Sequence, residues 1–383
     1  MNQRRTLSSA AGPSRTGLIR AGSIRTWPFG ARPFPGRPAV AAFVATAALV
    51  VAGCASGTAG TGSASAEPSA APEITLTFAG DVHFEDRVAE LLDDPATTFG
   101  PVAEELTEGD LTMVNLETPI TTRGTAEDKR YVFRAPDAAV PALIAAGIDV
   151  VSLANNHTMD YGREGLADTI ATAEAGGLGT VGAGDDIDEA FTPLRRTVEG
   201  VDIAIFAFSQ VDDLAEEWAA TPDRSGMAMA FDAERAYAAV RAARADSDLV
   251  VVLPHWGGEG DQCPTTRQQE FAAGLIDAGA DVIVGAHSHV LQAAGRMGDA
   301  YVAYGLGNFL WYSEGLEQPF SARAGVLRLT VQGREVVRSD FVPTVMTLTG
   351  QSEVVTGWRA DLARHNFDEL RTCADLDPVL SDG

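Results

Sequence analysis

Residues 148–157 read IDVVSLANNH, an apolar run that ends in two asparagines and a histidine. Valine, isoleucine and leucine favour a buried strand, whereas asparagine and histidine are poor residues for the interior of one. Buried amides and imidazoles also need polar partners. The stretch therefore predicts a core strand with Asn155, Asn156 and His157 at its carboxyl end, where other polar side chains are needed to partner them.

The same kind of apolar run recurs along the chain from Glu73 onward. Amphipathic stretches of helical period lie between most of the runs, and several of these stretches end in glycine, as a helix C-terminus prefers. The predicted strands cover residues 73–80, 111–116, 148–154, 202–209, 248–254, 281–286, 300–307, 324–331 and 334–342. The last two have no helix between them and predict an antiparallel pair. Continuous apolar strands covered by helices indicate an α/β fold with a sheet buried on both faces.

The first 53 residues of the 383-residue chain differ from the rest, with seven arginines and no acidic residue. The uncharged apolar run 39–52 is shorter than the ~20 residues of a membrane span and suits a signal peptide. Residues 51–54, VAGC, resemble the bacterial lipobox, in which the cysteine is lipidated as the new N-terminus. We predict a lipoprotein signal peptide over 1–53, lipidation of Cys54 and a flexible tether over 54–72. An uncleaved anchor, or an ordinary signal peptide with a chance cysteine, is the alternative.

The chain beyond the predicted signal peptide is strongly acidic. Seven of the 28 basic residues lie in that peptide, which leaves 21 against 53 acidic residues and a net charge of −32. Such a surface repels phosphates, so we expect no nucleic-acid partner. It also repels anionic lipid, so the acyl chain is the expected anchor. The sequence thus predicts an extracytoplasmic protein anchored to the cell membrane.

Two cysteines remain besides Cys54. In an oxidising compartment, Cys263 and Cys373 are expected to form a disulfide that joins a loop after a strand to the C-terminal region. Two unpaired thiols are the alternative.

Polar side chains follow five of the predicted strands, and they are Asp81, His83, Asn115, Glu117, Asn155, Asn156, His157, His255, His287 and His289. In open α/β sheets, ligands bind outside the carboxyl ends of the strands, so these side chains are expected to converge. Carboxylates, amides and imidazoles without thiolates suit Zn²⁺, Mn²⁺ or Fe. Seven ligands are more than one tetrahedral ion needs, and two ions sharing a bridging carboxylate would use all seven. Any one histidine taken alone would more simply pack in the core or lie at the surface.

These segments resemble the calcineurin-like metallophosphatase superfamily and, more closely, its CapA branch, the poly-γ-glutamate capsule synthesis proteins. The motifs that carry the resemblance are AGDVHFEDR, NLETPIT, YVFRAP, SLANNHTMDYG, PHWGGE, GAHSHVLQ and YGLGNFLW. They occur between residues 79 and 311 in the order expected for the family. The resemblance implies a four-layer αββα sandwich over residues 73–350, followed by a C-terminal extension over 351–383. It also implies a centre of two divalent metal ions.

The resemblance further implies a role for each strand-end residue. One ion would be bound by Asp81, His83 and His289, and the other by Asn156, His255 and His287. Glu117 would bridge the two ions. His157 would be the general acid or would stabilise charge in the transition state, and Asp160 would orient it.

Substrate contacts are expected from basic residues at the rim of the site. Arg87, Arg130 and Arg134 are candidates for binding anions, and a solvated loop is the alternative. Asn308 either lines the same crevice or caps a turn. The role of Glu259 in HWGGE is ambiguous in the same way. His365 is most simply an exposed helix residue.

Two functions remain open from the sequence. The first is a lipid-anchored two-metal hydrolase that cleaves a phosphoester or a γ-glutamyl amide bond in the synthesis of capsule or another envelope polymer. The second is a non-catalytic component for export or tethering of an anionic polymer, with a structural metal site. The expected partners are an anionic polymer or phosphoester substrate, the membrane and membrane-bound synthase proteins.

Overall fold

The structure is a computed structural model that describes residues 71–312 and 320–379. The predicted signal peptide, Cys54 and the tether up to residue 70 lie outside the described residues. None of the helices in the described ranges is long and apolar enough to cross a membrane.

Sixteen strands occur in the described residues. In chain order they are β1 Glu73–Val82, β2 Leu111–Leu116, β3 Val150–Ser152, β4 Gly179–Val181, β5 Ala183–Gly184, β6 Leu194–Val198, β7 Val201–Ser209, β8 Gly226–Met227, β9 Leu249–His255, β10 Val282–Val284, β11 Ala294–Met297, β12 Ala300–Ala303, β13 Asn308–Leu310, β14 Arg323–Gln332, β15 Glu335–Met346 and β16 Ser352–Val354. Most of the longer ones are formed by the apolar runs, because such runs are stable where both faces of a sheet are covered.

Eight α-helices lie in the same part of the chain. They are α1 Ala103–Leu106, α2 Ala139–Ala145, α3 Gly162–Gly176, α4 Ile187–Ala190, α5 Ala215–Trp218, α6 Ala233–Arg244, α7 Thr266–Ala278 and α8 Trp358–Glu369. A capping box between Thr265 and Gln268 begins α7. The glycines predicted to end helices do so in α3 and α7, where Gly177 and Gly279 have φ of 87° and 114°.

The strands form two main sheets. The first has the order β16-β15-β14-β1-β2-β3-β4, with β13 also paired to β1, and the second has the order β11-β12-β10-β9-β7-β6. Strands β1 to β4 are parallel to one another, as are β7, β9, β10 and β12. The predicted antiparallel pair is β14 and β15. Each sheet therefore has a parallel block whose carboxyl ends lie along one edge.

Alternating side chains show that the sheets pack face to face between two helical layers. In β7, Ile203 faces the core between the sheets, whereas Phe206 packs with residues of α6 and α7. In β3, Val150 belongs to the core between the sheets and Val151 packs with residues of α2. The four-layer αββα sandwich expected from the sequence is thereby confirmed.

The described part of the predicted C-terminal extension is attached to the sandwich. Strand β16 pairs antiparallel with β15, and Phe367 of α8 stacks on Phe341 of β15 with ring centroids 4.0 Å apart. A disulfide joins Cys263 and Cys373, with their Cα atoms 5.3 Å apart. The residues after 350 thus complete the edge of the first sheet and hold the loop that carries Cys263.

Strand bounds follow the apolar runs where these are long and buried. Strand β2 has the predicted bounds, whereas the run predicted over 300–307 ends its strand at Ala303. Strands β4, β5, β6, β8, β11, β13 and β16 were not predicted. Strand β6 lacks an apolar run because its side chains are alternately exposed and partly buried. Such edge strands carry little of the periodic signal on which the prediction depends.

Candidate metal centre

The carboxyl ends of the parallel strands bring the strand-end side chains together between the two sheets. From the first sheet come Asp81 of β1, Glu117 after β2 and Asn156 after β3. From the second sheet come His255 of β9 and the pair His287 and His289 after β10. All are buried except His289, whose side chain is 18% exposed. Oxygen and nitrogen donors from both sheets thus meet in one place.

Two groups of potential metal ligands share Glu117. Asp81, Glu117 and His289 form one group, and Glu117, His255 and His287 form the other, with the ligand atoms of each group within 4.8 Å of one another. Glu117 Oε1 lies 3.7 Å from His255 Nε2 and 3.8 Å from His289 Nε2. This central position is the one that a bridging carboxylate needs.

Asn156 adjoins the second group. Its Oδ1 lies 2.8 Å from His255 Nε2. The amide oxygen therefore belongs to the same cluster as His255, as the resemblance implied.

The chemistry of these side chains fits divalent cations. Glu117 Oε1, His255 Nδ1 and His287 Nδ1 are buried and have no hydrogen-bond partner among the residues that the structure describes. Unpaired buried polar atoms are costly, and a cation would compensate the carboxylate directly. The donors are imidazoles, carboxylates and one amide, a set that suits Mn²⁺, Zn²⁺ or Fe.

Burial sets the charge state of the histidines. It lowers the pKa of His255 well below the ordinary value and that of His287 to about 3, so both rings are neutral, as metal binding requires. Burial, followed by the charge of Asp81, raises the pKa of Glu117 well above its ordinary value. For His289 burial acts to lower the pKa, but Glu117 and Asp81 outweigh it and raise the pKa to about 9. Burial and the charge of Asp81 thus disfavour the ionised form of Glu117, which a cation held by these ligands would stabilise.

Two asparagines hold the carboxylates in place. Asn115 Nδ2 donates to Asp81 Oδ1 at 2.9 Å and to Glu117 Oε2 at 3.0 Å. Asn115 Oδ1 in turn accepts from Asn155 Nδ2 at 3.0 Å. Asn155 Oδ1 accepts from the backbone N–H groups of His157 and Thr158. Asn155 of the opening stretch thus supports Asn115, which holds both carboxylates.

The second sheet presents its histidine pair on strained backbone. His287 has φ of 92° and His289 has φ of 55°, a region that side chains other than glycine seldom occupy. Such strain persists where the surroundings enforce it and is common at functional sites.

Asn308 belongs to the site as a partner of His289. Its Oδ1 lies 2.9 Å from His289 Nδ1, which is also 3.1 Å from Asp81 Oδ2. The Nδ1–H group donates to these oxygens, which leaves Nε2 on the side of Glu117. Histidines that bind metals are commonly fixed by such a bond from the other ring nitrogen. The geometry favours this orienting role for Asn308 over the substrate contact expected from the sequence.

The structure does not bring His83 into either ligand group. Its Nδ1 accepts from the backbone N–H of Glu85 at 2.9 Å, and its Nε2 faces the backbone N–H of Tyr312 at 3.2 Å. The ring packs against Phe133 and Trp311 with centroids 4.7 and 4.1 Å away. His83 therefore packs beside the two ligand groups and belongs to neither in the structure, and its expected ligand role stays a prediction.

His157 and Asp160 form a buried pair beside the metal-binding cluster. His157 Nδ1 lies 2.6 Å from Asp160 Oδ2, which also accepts the backbone N–H of Phe133 at 2.7 Å. The Phe133 ring stacks on His157 at 4.0 Å and on its other face meets His83. Burial lowers the pKa of His157, while the bond to Asp160 opposes that shift. The ring is thus held with Nδ1 on the carboxylate, which leaves Nε2 for other partners.

Lys129 belongs to the candidate site, although the sequence analysis did not single it out. Its Nζ lies 3.0 Å from Asp160 Oδ1, bonds to the backbone oxygen of Asn156 and lies 4.9 Å from the centre of the Trp218 ring. Only 9% of its side chain is exposed. It is the single lysine among the 28 basic residues of the chain. Every other basic residue of the chain is arginine, so the single lysine was the signal available in the sequence. Lysine and arginine are not interchangeable, because the ammonium group is compact and the guanidinium group is planar.

The predicted rim arginines lie apart from the ligand groups. Arg87 donates to the backbone oxygen of Leu348 at 3.1 Å, whereas Arg130 and Arg134 are exposed. Arg134 lies over the Tyr161 ring at 4.3 Å, on the segment that also carries Phe133. These two exposed arginines remain candidates for contacts with an anion. His365 is an exposed residue of α8, as expected.

Solved structures show low similarity to the chain. A phosphatase of Mycoplasma pneumoniae has a TM-score of 0.45 at 16% identity, over 72% of this chain and 94% of that chain. A putative 5'-nucleotidase of Staphylococcus aureus has a TM-score of 0.42 at 14% identity, over 78% of this chain and 58% of that chain. Neither similarity is high enough to assign a function.

Relatives with higher sequence identity are bacterial. Capsule biosynthesis protein CapA of Bacillus anthracis is 34% identical over 248 residues, which are 62% of this chain and 60% of that protein. PGA biosynthesis protein CapA of Bacillus subtilis is 32% identical over 62% of this chain and 63% of that protein. A probable polyglutamine synthesis accessory protein of Mycobacterium tuberculosis is 32% identical over 66% of this chain and 70% of that protein. The match to the two Bacillus relatives spans less than two thirds of their length.

A family model covers the part of the chain that forms the site. The model described as bacterial capsule synthesis protein PGA_cap matches residues 75–313. These residues include both ligand groups and the His157–Asp160 pair. The chain therefore belongs to the bacterial capsule synthesis protein family PGA_cap.

Proposed function

We propose that the chain is a two-metal hydrolase that acts outside the cytoplasm on a phosphoester or on the γ-glutamyl bonds of an anionic envelope polymer. The observation that carries this proposal is the pair of ligand groups that share Glu117. The ions would be Mn²⁺, Zn²⁺ or Fe, in keeping with the mixed nitrogen and oxygen donors. When bound, they would lower the pKa of water and stabilise the negative charge that develops on the reacting oxygen.

The protein itself would supply a positioned proton donor. Asp160 accepts from His157 Nδ1 at 2.6 Å, and this fixes the tautomer and turns Nε2 into the atom that can hold or release a proton. Phe133 stacks on the ring and restricts its rotation. Lys129 Nζ lies 3.0 Å from Asp160 Oδ1 and places a positive charge beside this buried carboxylate.

Exposed arginines supply the positive charge that an anionic substrate needs. The surface as a whole is acidic, yet Arg130 and Arg134 lie on the segment that holds Phe133 against His157. They would bind carboxylate or phosphate groups of the substrate next to the proton donor. A membrane synthase partner would deliver or receive the polymer.

The location outside the cytoplasm rests on the N-terminal sequence and on the disulfide. The apolar run that ends in VAGC has the length of the apolar region of a signal peptide, and Cys54 is the proposed site of lipidation. The bond between Cys263 and Cys373 is suited to an oxidising compartment. The acyl chain would hold the protein at the membrane surface.

A polymer-handling role without catalysis is the second candidate. The names of the relatives favour it, because they speak of capsule biosynthesis and of a synthesis accessory protein. The buried set of Lys129, Asp160 and His157 favours catalysis, because a metal site that only stabilises the fold does not need an oriented imidazole beside it. We therefore place hydrolysis first.

The proposal is tested by comparing His255→Ala with His157→Ala in the full-length chain purified in mild detergent. His255→Ala should lose bound metal and melt at lower temperature, because bound metal stabilises the folded state. His157→Ala should keep the metal and lose ~10²–10⁴-fold in turnover, the usual effect of a positioned acid. His365→Ala, at an exposed histidine of α8, is the matched control and should leave metal content, melting temperature and turnover unchanged.

Metal content, melting temperature and hydrolysis of phosphoester and γ-glutamyl compounds are measured side by side. Loss of metal in His157→Ala would make that residue a ligand instead of a proton donor. A parent protein that holds metal but cleaves none of these compounds would favour polymer handling.

A further inference from the structure

Glu259 lies at the solvent side of the metal-binding cluster. It is exposed, in the loop between β9 and α7, and its carboxylate forms a third group with His287 and His289 in which the ligand atoms lie within 4.8 Å of one another. His287 belongs to one of the two groups that share Glu117, and His289 belongs to the other. Glu259 is therefore close to one histidine from each proposed metal position.

The loop that carries Glu259 is fixed to the histidine pair. The backbone N–H of Gly260 donates at 2.8 Å to the backbone oxygen of Ser288, the residue between His287 and His289. The turn requires glycine, because Gly257 and Gly260 have φ of 93° and 79°. The hydrogen bond from Gly260 to Ser288 thus fixes the position of Glu259 relative to His287 and His289.

Two further attachments hold the far side of the loop. Gln292 Nε2 donates to the backbone oxygen of Asp261 at 2.7 Å, and the disulfide from Cys263 ties the end of the loop to Cys373. An exposed glutamate on a free loop would sample many positions. Before Glu259, the backbone N–H of Trp256 donates to the backbone oxygen of Ala286 at 3.2 Å, so the loop is held on both sides and the carboxylate stays within reach of the histidines.

The two glutamates occupy opposite sides of the cluster. Glu117 is fully buried and reaches the histidines from within, while Glu259 reaches His287 and His289 from the solvent. His287 Nδ1 is buried and lacks a hydrogen-bond partner in the described residues.

We propose that Glu259 is a carboxylate ligand of the two-metal centre and closes it on the side that faces solvent. This inference rests on the proposed function, because it requires the two metal positions. An anion that arrives from solvent would meet this carboxylate first and would have to displace it. Glu259 would therefore raise metal affinity while lowering the affinity for small anions.

The test uses Mn²⁺ alone and the full-length chain in detergent after removal of metal with a chelator. Glu259→Gln keeps the size and the hydrogen-bonding capacity of the side chain and removes its charge. Asp261→Asn, two residues away in the same exposed loop, removes the same charge without touching the histidines and is the matched control. Calorimetric titration should show Mn²⁺ binding ~10-fold or more weaker in Glu259→Gln, and unchanged in Asp261→Asn.

A second titration, with inorganic phosphate at saturating Mn²⁺, should show tighter binding to Glu259→Gln than to the parent. The melting temperature without metal should be the same for both proteins, because Glu259 is exposed. Equal Mn²⁺ affinity in Glu259→Gln and the parent would overturn the inference, as would an equal loss in Asp261→Asn, which would indicate a general charge effect. Phosphate binding that does not tighten would overturn the displacement step. A parent that binds no Mn²⁺ would instead overturn the proposed function itself.

Discussion

Replacing Lys129 with methionine should destabilise the protein by leaving Asp160 charged and unpaired in the interior. The two side chains are 9% and 0% exposed, and Lys129 Nζ lies 3.0 Å from Asp160 Oδ1. Removing one partner of a buried ion pair costs ~3–5 kcal/mol. Asp160 keeps its bonds to His157 and Phe133, so we expect a loss of ~3 kcal/mol in the free energy of unfolding. At ~2–4 °C per kcal/mol, the melting temperature should fall by ~6–12 °C.

A double-mutant cycle separates this pairing from the packing of the lysine stem. Thermal and urea unfolding are measured for Lys129→Met, Asp160→Asn and the double variant. The double variant should be more stable than the sum of the single losses predicts, because it leaves neither charge unpaired. Lys129→Arg is the charge-preserving control. If the loss in free energy of unfolding of the double variant equals the sum of the two single losses within ~0.5 kcal/mol, the reasoning is refuted, because independent sites behave in that way.

Three further predictions concern the bonds of Asn115, the disulfide and the lipobox. Asn115→Leu removes bonds to two carboxylates and should weaken Mn²⁺ binding by ~10–100-fold in titration calorimetry, whereas an unchanged affinity would mean that the carboxylates hold their orientation unaided. After export in an oxidising compartment, unfolded protein should show no labelling of Cys263 or Cys373 by a thiol reagent, and two labelled thiols would contradict the disulfide. Cys54→Ala should release the protein from membranes or leave its precursor uncleaved on fractionation and mass analysis, and unchanged behaviour would rule out the lipobox.

The part of the fold that could be predicted consists of the strands formed by long apolar runs, because such runs indicate buried strands. Strand β2 was predicted residue by residue, and the antiparallel pair of β14 and β15 followed from the missing helix between them. Strands β4, β5, β6, β8, β11, β13 and β16 were missed because short or half-exposed strands lack that periodic signal. The attachment of the C-terminal region through β16 and α8 was not predicted, because β16 has only three residues and α8 packs on β15 through the single buried ring of Phe367.

The candidate site was predictable because residue type and position agreed. Carboxylates and histidines at strand ends indicated convergence, and the two groups that share Glu117 follow that pattern. His83 departs from it because its ring nitrogens face backbone N–H groups, a matter of side-chain rotation that spacing does not specify. Lys129 was missed because its role depends on a contact with Asp160 across 31 positions of the chain. Sequence thus indicates which donors can meet, while orientation depends on tertiary packing.

The division of the ligands between the sheets has a consequence for how the protein matures. The oxygen donors Asp81, Glu117 and Asn156 come from the earlier part of the chain and the first sheet, and the nitrogen donors His255, His287 and His289 come from the later part and the second. Oxygen donors alone suit Mg²⁺ or Ca²⁺, and only the docked sheets offer the mixed set. An ion bound by donors of both sheets would act as a cross-link between the sheets. This cross-link would exist only in the native state, because neither sheet alone carries the full set of donors. Metal capture would then be a late step of folding that fastens the two sheets into one cooperative unit.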